Sequence, residues 1–143
     1  MTYADSSVIV KRYYQEIGSD RVRQEFTAAE HVFTSRLAYA EVHAALARKR
    51  RERARSERDV RRCATAFETD WLAYDHIAID VVTLAAVPRL VRQYPLRGAD
   101  AVHLAAAIWL REQVADQVEL WAADSQLLDA ARRERLTAVN PEI

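Results

Sequence analysis

Apolar positions along the chain fall into short runs separated by stretches with helical spacing. Residues 2–5 make a brief extended start, and Ser7 to Tyr14 reads as a helix with Val8 and Ile9 turned away from Lys11 and Arg12. A second short helix follows Gly18 and covers about 19–28. His31-Val32-Phe33-Thr34 is β-branched and aromatic, as a strand prefers. Ser35 can then cap a long helix over about 36–53, with Ala38, Val42, Ala45 and Leu46 as its core stripe. Ser56-Glu57-Arg58-Asp59 fits a capping box with Asp in place of the preferred Glu. The helix it starts runs to about 73 and is expected to bury Val60, Ala64, Phe67, Trp71 and Leu72. Residues 36–73 thus predict a helical hairpin.

The alternation continues through the second half. His76 to Ile79 reads as a strand, and Asp80 can cap a helix over about 81–93, kinked at Pro88 and stopped by Pro95. Gly98 opens a helix through about 112, Val118 to Ala122 is a strand, Ser125 to Arg133 a helix, and Leu136 to Val139 a last short strand. Strands alternating with helices predict an α/β fold with a mostly parallel sheet covered on both faces. No linker, repeat or low-complexity segment interrupts it, so residues 1–143 read as a single domain. In such sheets ligands bind beyond the carboxyl ends of the strands, near the point where strand order reverses.

Composition narrows the classes. A chain of 143 residues can bury roughly 70% of its unfolded surface. Half the residues are hydrophobic and 21 basic side chains balance 21 acidic ones, which excludes a disordered chain and a wholly basic nucleic-acid binder. The balance hides a segregation. Residues 48–62 hold nine basic and three acidic side chains, a local charge of +6, so the other 128 residues carry −6. Cys63 is the only cysteine, which rules out an intrachain disulfide and a zinc–thiolate cluster. Two glycines, Gly18 and Gly98, are too few for a P-loop or a GxGxxG site. With no secretory signal pattern and no apolar run near the ~18–20 residues of a membrane span, a cytoplasmic protein is expected.

Four acidic residues stand where the fold class puts chemistry. Asp5 ends the first strand, Asp124 follows the third, Asp100 lies in the first turn after Gly98, and Glu41 sits on an alanine-lined face with Leu37, Ala44 and Ala45. Each has a structural reading. Asp5, Asp80 and Asp124 stand at strand-to-helix junctions where N-caps are ordinary, Asp100 suits a helix dipole, and the face of Glu41 can simply be exposed. His103, three residues after Asp100, has a structural reading as well. Gathered at one sheet edge, however, the carboxylates would repel one another. A hard divalent cation such as Mg²⁺ or Mn²⁺ removes that conflict and suits phosphodiester hydrolysis.

At these residues the chain resembles the PIN-domain family, and within it the VapC toxins of bacterial toxin–antitoxin pairs. The resemblance is carried by Tyr3-Ala4-Asp5-Ser6-Ser7-Val8-Ile9-Val10-Lys11, Ser35-Arg36-Leu37-Ala38-Tyr39-Ala40-Glu41-Val42, Leu96-Arg97-Gly98-Ala99-Asp100-Ala101-Val102-His103-Leu104-Ala105-Ala106-Ala107, and Trp121-Ala122-Ala123-Asp124 with Leu127-Leu128. These motifs occur in family order across nearly the whole chain. The resemblance implies a three-layer α/β/α fold on a sheet of four or five strands, with Asp5 and Asp124 on neighbouring central strands. It implies an endoribonuclease whose Mg²⁺ or Mn²⁺ is held by Asp5, Glu41, Asp100 and Asp124, with Ser7 as a supporting polar residue and Asp80 left as a cap. It also implies a VapB-like antitoxin whose C-terminal segment blocks the site, and a homodimer or toxin–antitoxin hetero-oligomer. One departure is visible: Ala122 stands where the family often has Thr, Ser or Asn.

Other readings stay open. Arg50, Arg51 and Arg53 in the basic stretch can meet RNA phosphates, contact the antitoxin, or simply be a solvated helix end whose charge suits the dipole. A non-catalytic RNA- or protein-binding module built on residues 48–62 is the alternative function, although it leaves the carboxylates without a role. A receiver domain usually needs a lysine at a late strand end, and the only lysines are Lys11 and Lys49. A DxD phosphatase is disfavoured because Ser6-Ser7 follows Asp5.

Overall fold

A computed structural model describes residues 1–52 and 55–143. Strands β1 (Thr2–Ala4), β2 (Val32–Ser35), β3 (Asp75–Ile77), β4 (Glu119–Trp121) and β5 (Thr137–Val139) form one sheet in the order β3-β2-β1-β4-β5. Every neighbouring pair is parallel, and β1 pairs on one side with β2 (Thr2 with Val32) and on the other with β4 (Thr2 with Glu119). Among the described residues seven helices surround it: α1 (Ser6–Tyr13), α2 (Ser19–Ala28), α3 (Leu37–Arg51), α4 (Glu57–Trp71), α5 (Val87–Gln93), α6 (Gly98–Gln113) and α7 (Ser125–Arg133). The three-layer α/β/α expectation therefore holds, with five strands and an entirely parallel sheet.

Strand periodicity divides the core in two, because successive side chains leave opposite faces. Tyr3 and Leu120 join one apolar cluster with Leu90, Leu104, Ile108 and Leu127 from α5, α6 and α7. Ala4 and Trp121 join the other with Ile9, Val22, Val42, Leu46, Val60 and Phe67 from α1 to α4. The hairpin forms from α3 and α4, and Ser56 caps α4 by accepting from the Asp59 amide. Leu72 is a correction: it lies one residue beyond α4 and is 85% exposed, not buried.

The segment after β3 also differs from expectation. The strand is Asp75–Ile77 and does not reach Ile79. Residues 81–86 form turns rather than helix; Asp80 accepts from the Val82 and Thr83 amides and so caps the turn. Pro88 does not kink a helix. It opens α5 in the first turn, where its missing N–H leaves no partner unsatisfied. Ser35 is likewise not the N-cap of α3, which is Arg36 without a side-chain cap; the Ser35 hydroxyl accepts from the Leu37 amide within the same turn. Arg53 lies outside the described residues.

Candidate active site

Strand order reverses between β1 and β4; Asp5 follows β1 directly, and Asp124 lies three residues beyond the end of β4. The Asp5 amide donates to the Trp121 carbonyl, which ties the two strand ends together. Asp5 caps α1 by accepting from the Val8 amide (3.1 Å), and Asp124 caps α7 by accepting from the Leu127 amide (2.8 Å). The structural role of each is thus real, yet both carboxylates remain on one cleft of about 620 Å³. Glu41 from α3 and Asp100 from the first turn of α6 line the same cleft. The four predicted carboxylates, contributed by separate motifs, therefore line one cleft.

Ser7 joins two of the motifs. Its hydroxyl donates to Asp5 Oδ1 (2.6 Å) and accepts from the Ala123 amide (3.1 Å), so it holds the loop that carries Asp124 against the loop that carries Asp5. This link anchors the loop at which Ala122 lacks a hydroxyl. Burial pushes the Asp5 carboxyl up, opposed by His103, the Ser7 hydroxyl and the Val8 amide.

The structural companion of Glu41 is His103. His103 is 1% exposed, accepts or donates at Nδ1 to the Tyr3 hydroxyl (2.8 Å), and meets Glu41 Oε1 at Nε2 (2.5 Å). A carboxylate only accepts, so Nε2–H donates to Glu41, while the Nδ1 bond to the Tyr3 hydroxyl takes its direction from the state of the ring. Burial, then the Asp5 charge, pushes the Tyr3 phenol well above its ordinary range, which keeps that hydroxyl protonated. The signal was available: residues three apart share a helix face, and Asp100 and His103 are so spaced on α6.

Cations also line the cleft. Lys11, Arg48, Lys49 and Arg97 stand there with seven carboxylates, the predicted four plus Glu16, Glu52 and Glu142. Glu41, Ala45, Arg48 and Glu52 follow one another at helical spacing on α3 and its C-cap, which could have pointed to Arg48 as a cleft residue. Of the predicted tip residues, Arg50 and Arg51 lie outside the cleft lining, and Arg50 is paired with Glu57 (3.4 Å). Among the described residues of the stretch, only its N-terminal cations, Arg48 and Lys49, line the site, beside Lys11 and Arg97 from elsewhere in the chain.

The donor set suits a hard divalent ion, being all oxygen with buried Asp5 in want of positive charge. Among the described residues, no three His, Cys, Asp or Glu side chains are grouped closely enough to hold one ion. The carboxylates ring the cleft, with Asp5, Glu41 and Asp124 each held by a protein donor. Mg²⁺ commonly binds through one or two carboxylates, several waters and substrate phosphate, so a ring of this kind fits it.

A PIN domain family model matches residues 2–133. The chain belongs to the PIN-domain family. Ribonuclease VapC45 and Ribonuclease VapC49 of Mycobacterium tuberculosis (strains CDC 1551 / Oshkosh and H37Rv) are each 34% identical to it over 108 residues, 76% of this chain and 75% of theirs. These relatives identify the chain as a VapC-type PIN domain. The fold is shared with a toxin–antitoxin complex from Klebsiella pneumoniae (TM-score 0.70, 13% identity, covering 99% of this chain and 98% of that one). FitAcB from Neisseria gonorrhoeae matches similarly, with TM-score 0.69, 18% identity and coverage of 99% and 98%. Among the described residues of the PIN domain, no helix is long and apolar enough to cross a membrane.

Proposed function

We propose that this PIN domain is a Mg²⁺- or Mn²⁺-dependent endoribonuclease, the toxin of a type II toxin–antitoxin pair inhibited by a cognate VapB-like antitoxin. The observation that carries the reading is the meeting of Asp5, Glu41, Asp100 and Asp124 on one cleft at the strand-order reversal. The relatives' ribonuclease names support RNA as the substrate, and the toxin–antitoxin neighbour supports the partner. The assembly that goes with this role is a homodimer or a toxin–antitoxin hetero-oligomer in the cytoplasm.

Asp5 and Asp100 would hold the ion, with Glu41 and Asp124 facing the same cleft and available to its waters. A bound divalent ion supplies Lewis-acid charge neutralisation at the phosphodiester and an activated water for in-line attack. The chain does the positioning. Ser7 keeps Asp5 and the Asp124 loop in register. His103 fixes the Glu41 carboxylate. Arg48, Lys49 and Arg97 face the cleft and attract the phosphate backbone.

Purified protein is expected to cut RNA with Mg²⁺ or Mn²⁺ and to stop when the ion is chelated. Asp100→Asn should remove cutting while leaving the melting curve of the fold in place. Full activity in that variant overturns the assignment and favours a binding module on the basic stretch. Sequencing RNA ends after expression identifies the cleavage site.

A further inference from the structure

Beside the acidic cleft lies a second pocket of about 210 Å³, lined by Tyr13, Tyr14, Arg23, Arg55, Arg62 and Cys63 among others. Nothing in the proposed chemistry uses it. Its cations are Arg23, Arg55 and Arg62, against one carboxylate, Asp59. Tyr14 is the wall that connects the two sites. Lys49 Nζ, which lines the cleft, sits 4.1 Å from the Tyr14 ring centroid, and Arg55 Cζ, which lines the pocket, sits 5.3 Å from the same centroid. Both lie within cation–π range. A track of alternating positive charge and aromatic surface therefore leads from the cleft into the pocket.

The geometry points to a nucleotide subsite of single-stranded RNA in this pocket, occupied by the strand as it leaves the cleft past Lys49; the inference rests on the ribonuclease reading above. Three features choose this ligand. Seven carboxylates offset much of the attraction that the four cleft cations exert on phosphates, so additional affinity comes from beside the cleft. Arginine planes and tyrosine rings are the surfaces on which unpaired bases stack, and every base has a π-face. The pocket has room for one base and not for a duplex. Arg23 is fixed by Gln15 (2.6 Å) and Asp20 (3.0 Å), which makes it wall, whereas among the described residues Arg55 and Arg62 form no ion pair. Arg55 and Arg62 are the phosphate partners, and Tyr14 becomes the stacking surface once Arg55 turns from its ring to the phosphate.

The test uses full-length protein carrying Asp100→Asn, titrated with oligouridylates of about three and about ten nucleotides. The longer RNA should bind more tightly by roughly tenfold. That gain should vanish in Arg55→Gln/Arg62→Gln and in Tyr14→Ala, and return in Tyr14→Phe. The salt slope for the longer RNA should drop by about 1 per arginine removed. Cys63, the only cysteine, reads the pocket directly: the longer RNA should slow its alkylation and the shorter one should not. Unchanged affinity for the longer RNA in the double arginine variant overturns the subsite while leaving the ribonuclease reading intact. Absence of RNA binding and cutting in all forms overturns both. Protection of Cys63 by an acidic peptide but not by RNA overturns the subsite in favour of a protein partner.

Discussion

The Tyr3–His103–Glu41 chain gives the sharpest test, because it links fold stability to the candidate site through two hydrogen bonds. His103→Leu removes both while keeping an apolar side chain in a position 1% exposed. Tyr3 is fully buried, so its hydroxyl loses its partner in a place water does not reach, at a cost of about 1–2 kcal/mol. Glu41 is 27% exposed at its side chain and can regain water, so its loss is smaller, about 1 kcal/mol. The sum, about 2–3 kcal/mol, corresponds to a fall in Tm on the order of 10 °C for a chain of this size. Activity should fall as well, by roughly 10- to 100-fold, since Glu41 loses the donor that orients it. Thermal denaturation followed by circular dichroism measures the first effect, and RNA cleavage at saturating metal measures the second. Tyr3→Phe completes a double-mutant cycle, and coupling of about 1 kcal/mol is expected between the two positions. Strict additivity, or a Tm within about one degree of the parent, refutes the reasoning.

Three further outcomes are expected. Gly18→Ala should lower stability by roughly 1–2 kcal/mol in a denaturant titration, because Gly18 has φ +86° and an added Cβ would sit 2.9 Å from the Pro141 carbonyl oxygen. Phe67→Ala should cost about 3–5 kcal/mol by the same assay, since the fully buried ring packs edge-on to Tyr13 at 5.6 Å and tilted to Trp71 at 5.5 Å. Arg89, helped by Tyr94 and Arg111, holds the Glu134 carboxyl below its ordinary range against the effect of burial. Its contribution is therefore complete above the ordinary glutamate pKa and lost as pH falls through the depressed folded value. Glu134→Gln should cost about 1 kcal/mol at neutral pH, and the difference from the parent should close in acid; a gap that widens in acid contradicts the pairing.

The order of elements was legible because the helices carry apolar stripes of the right period and most strands are β-branched or aromatic. β1 is three residues long, and pattern alone does not identify so short a strand. Its central place follows from pairing with β2 and β4, a long-range fact. Leu72 was misread because helical spacing continues past the point where α4 ends. Pro88 was misread because a proline inside an apolar stretch looks like a kink until the turn before it, held by Asp80 and Thr83, is seen. In the candidate site, the carboxylates were legible from motif order, whereas Tyr3 as the partner of His103 was not, being a hundred residues away. The tip arginines drew attention by their density, yet distance along α3 decides which cations face the cleft.

The sheet order also governs when the site can exist during synthesis. β1 is made first, but its β4 partner begins at Glu119, and Asp124 follows that strand. At ribosomal rates of ~5–20 residues per second, β1 waits on the order of ten seconds with one edge unpaired. Through that interval the growing chain has no β1–β4 seam, and the cleft lacks one wall. Whatever reaction the cleft performs therefore begins only after β4 has been made and has paired with β1. The same delay leaves the open edge of β1 exposed to wrong partners, so slow or stalled translation through α5 and α6 should favour aggregation over activity.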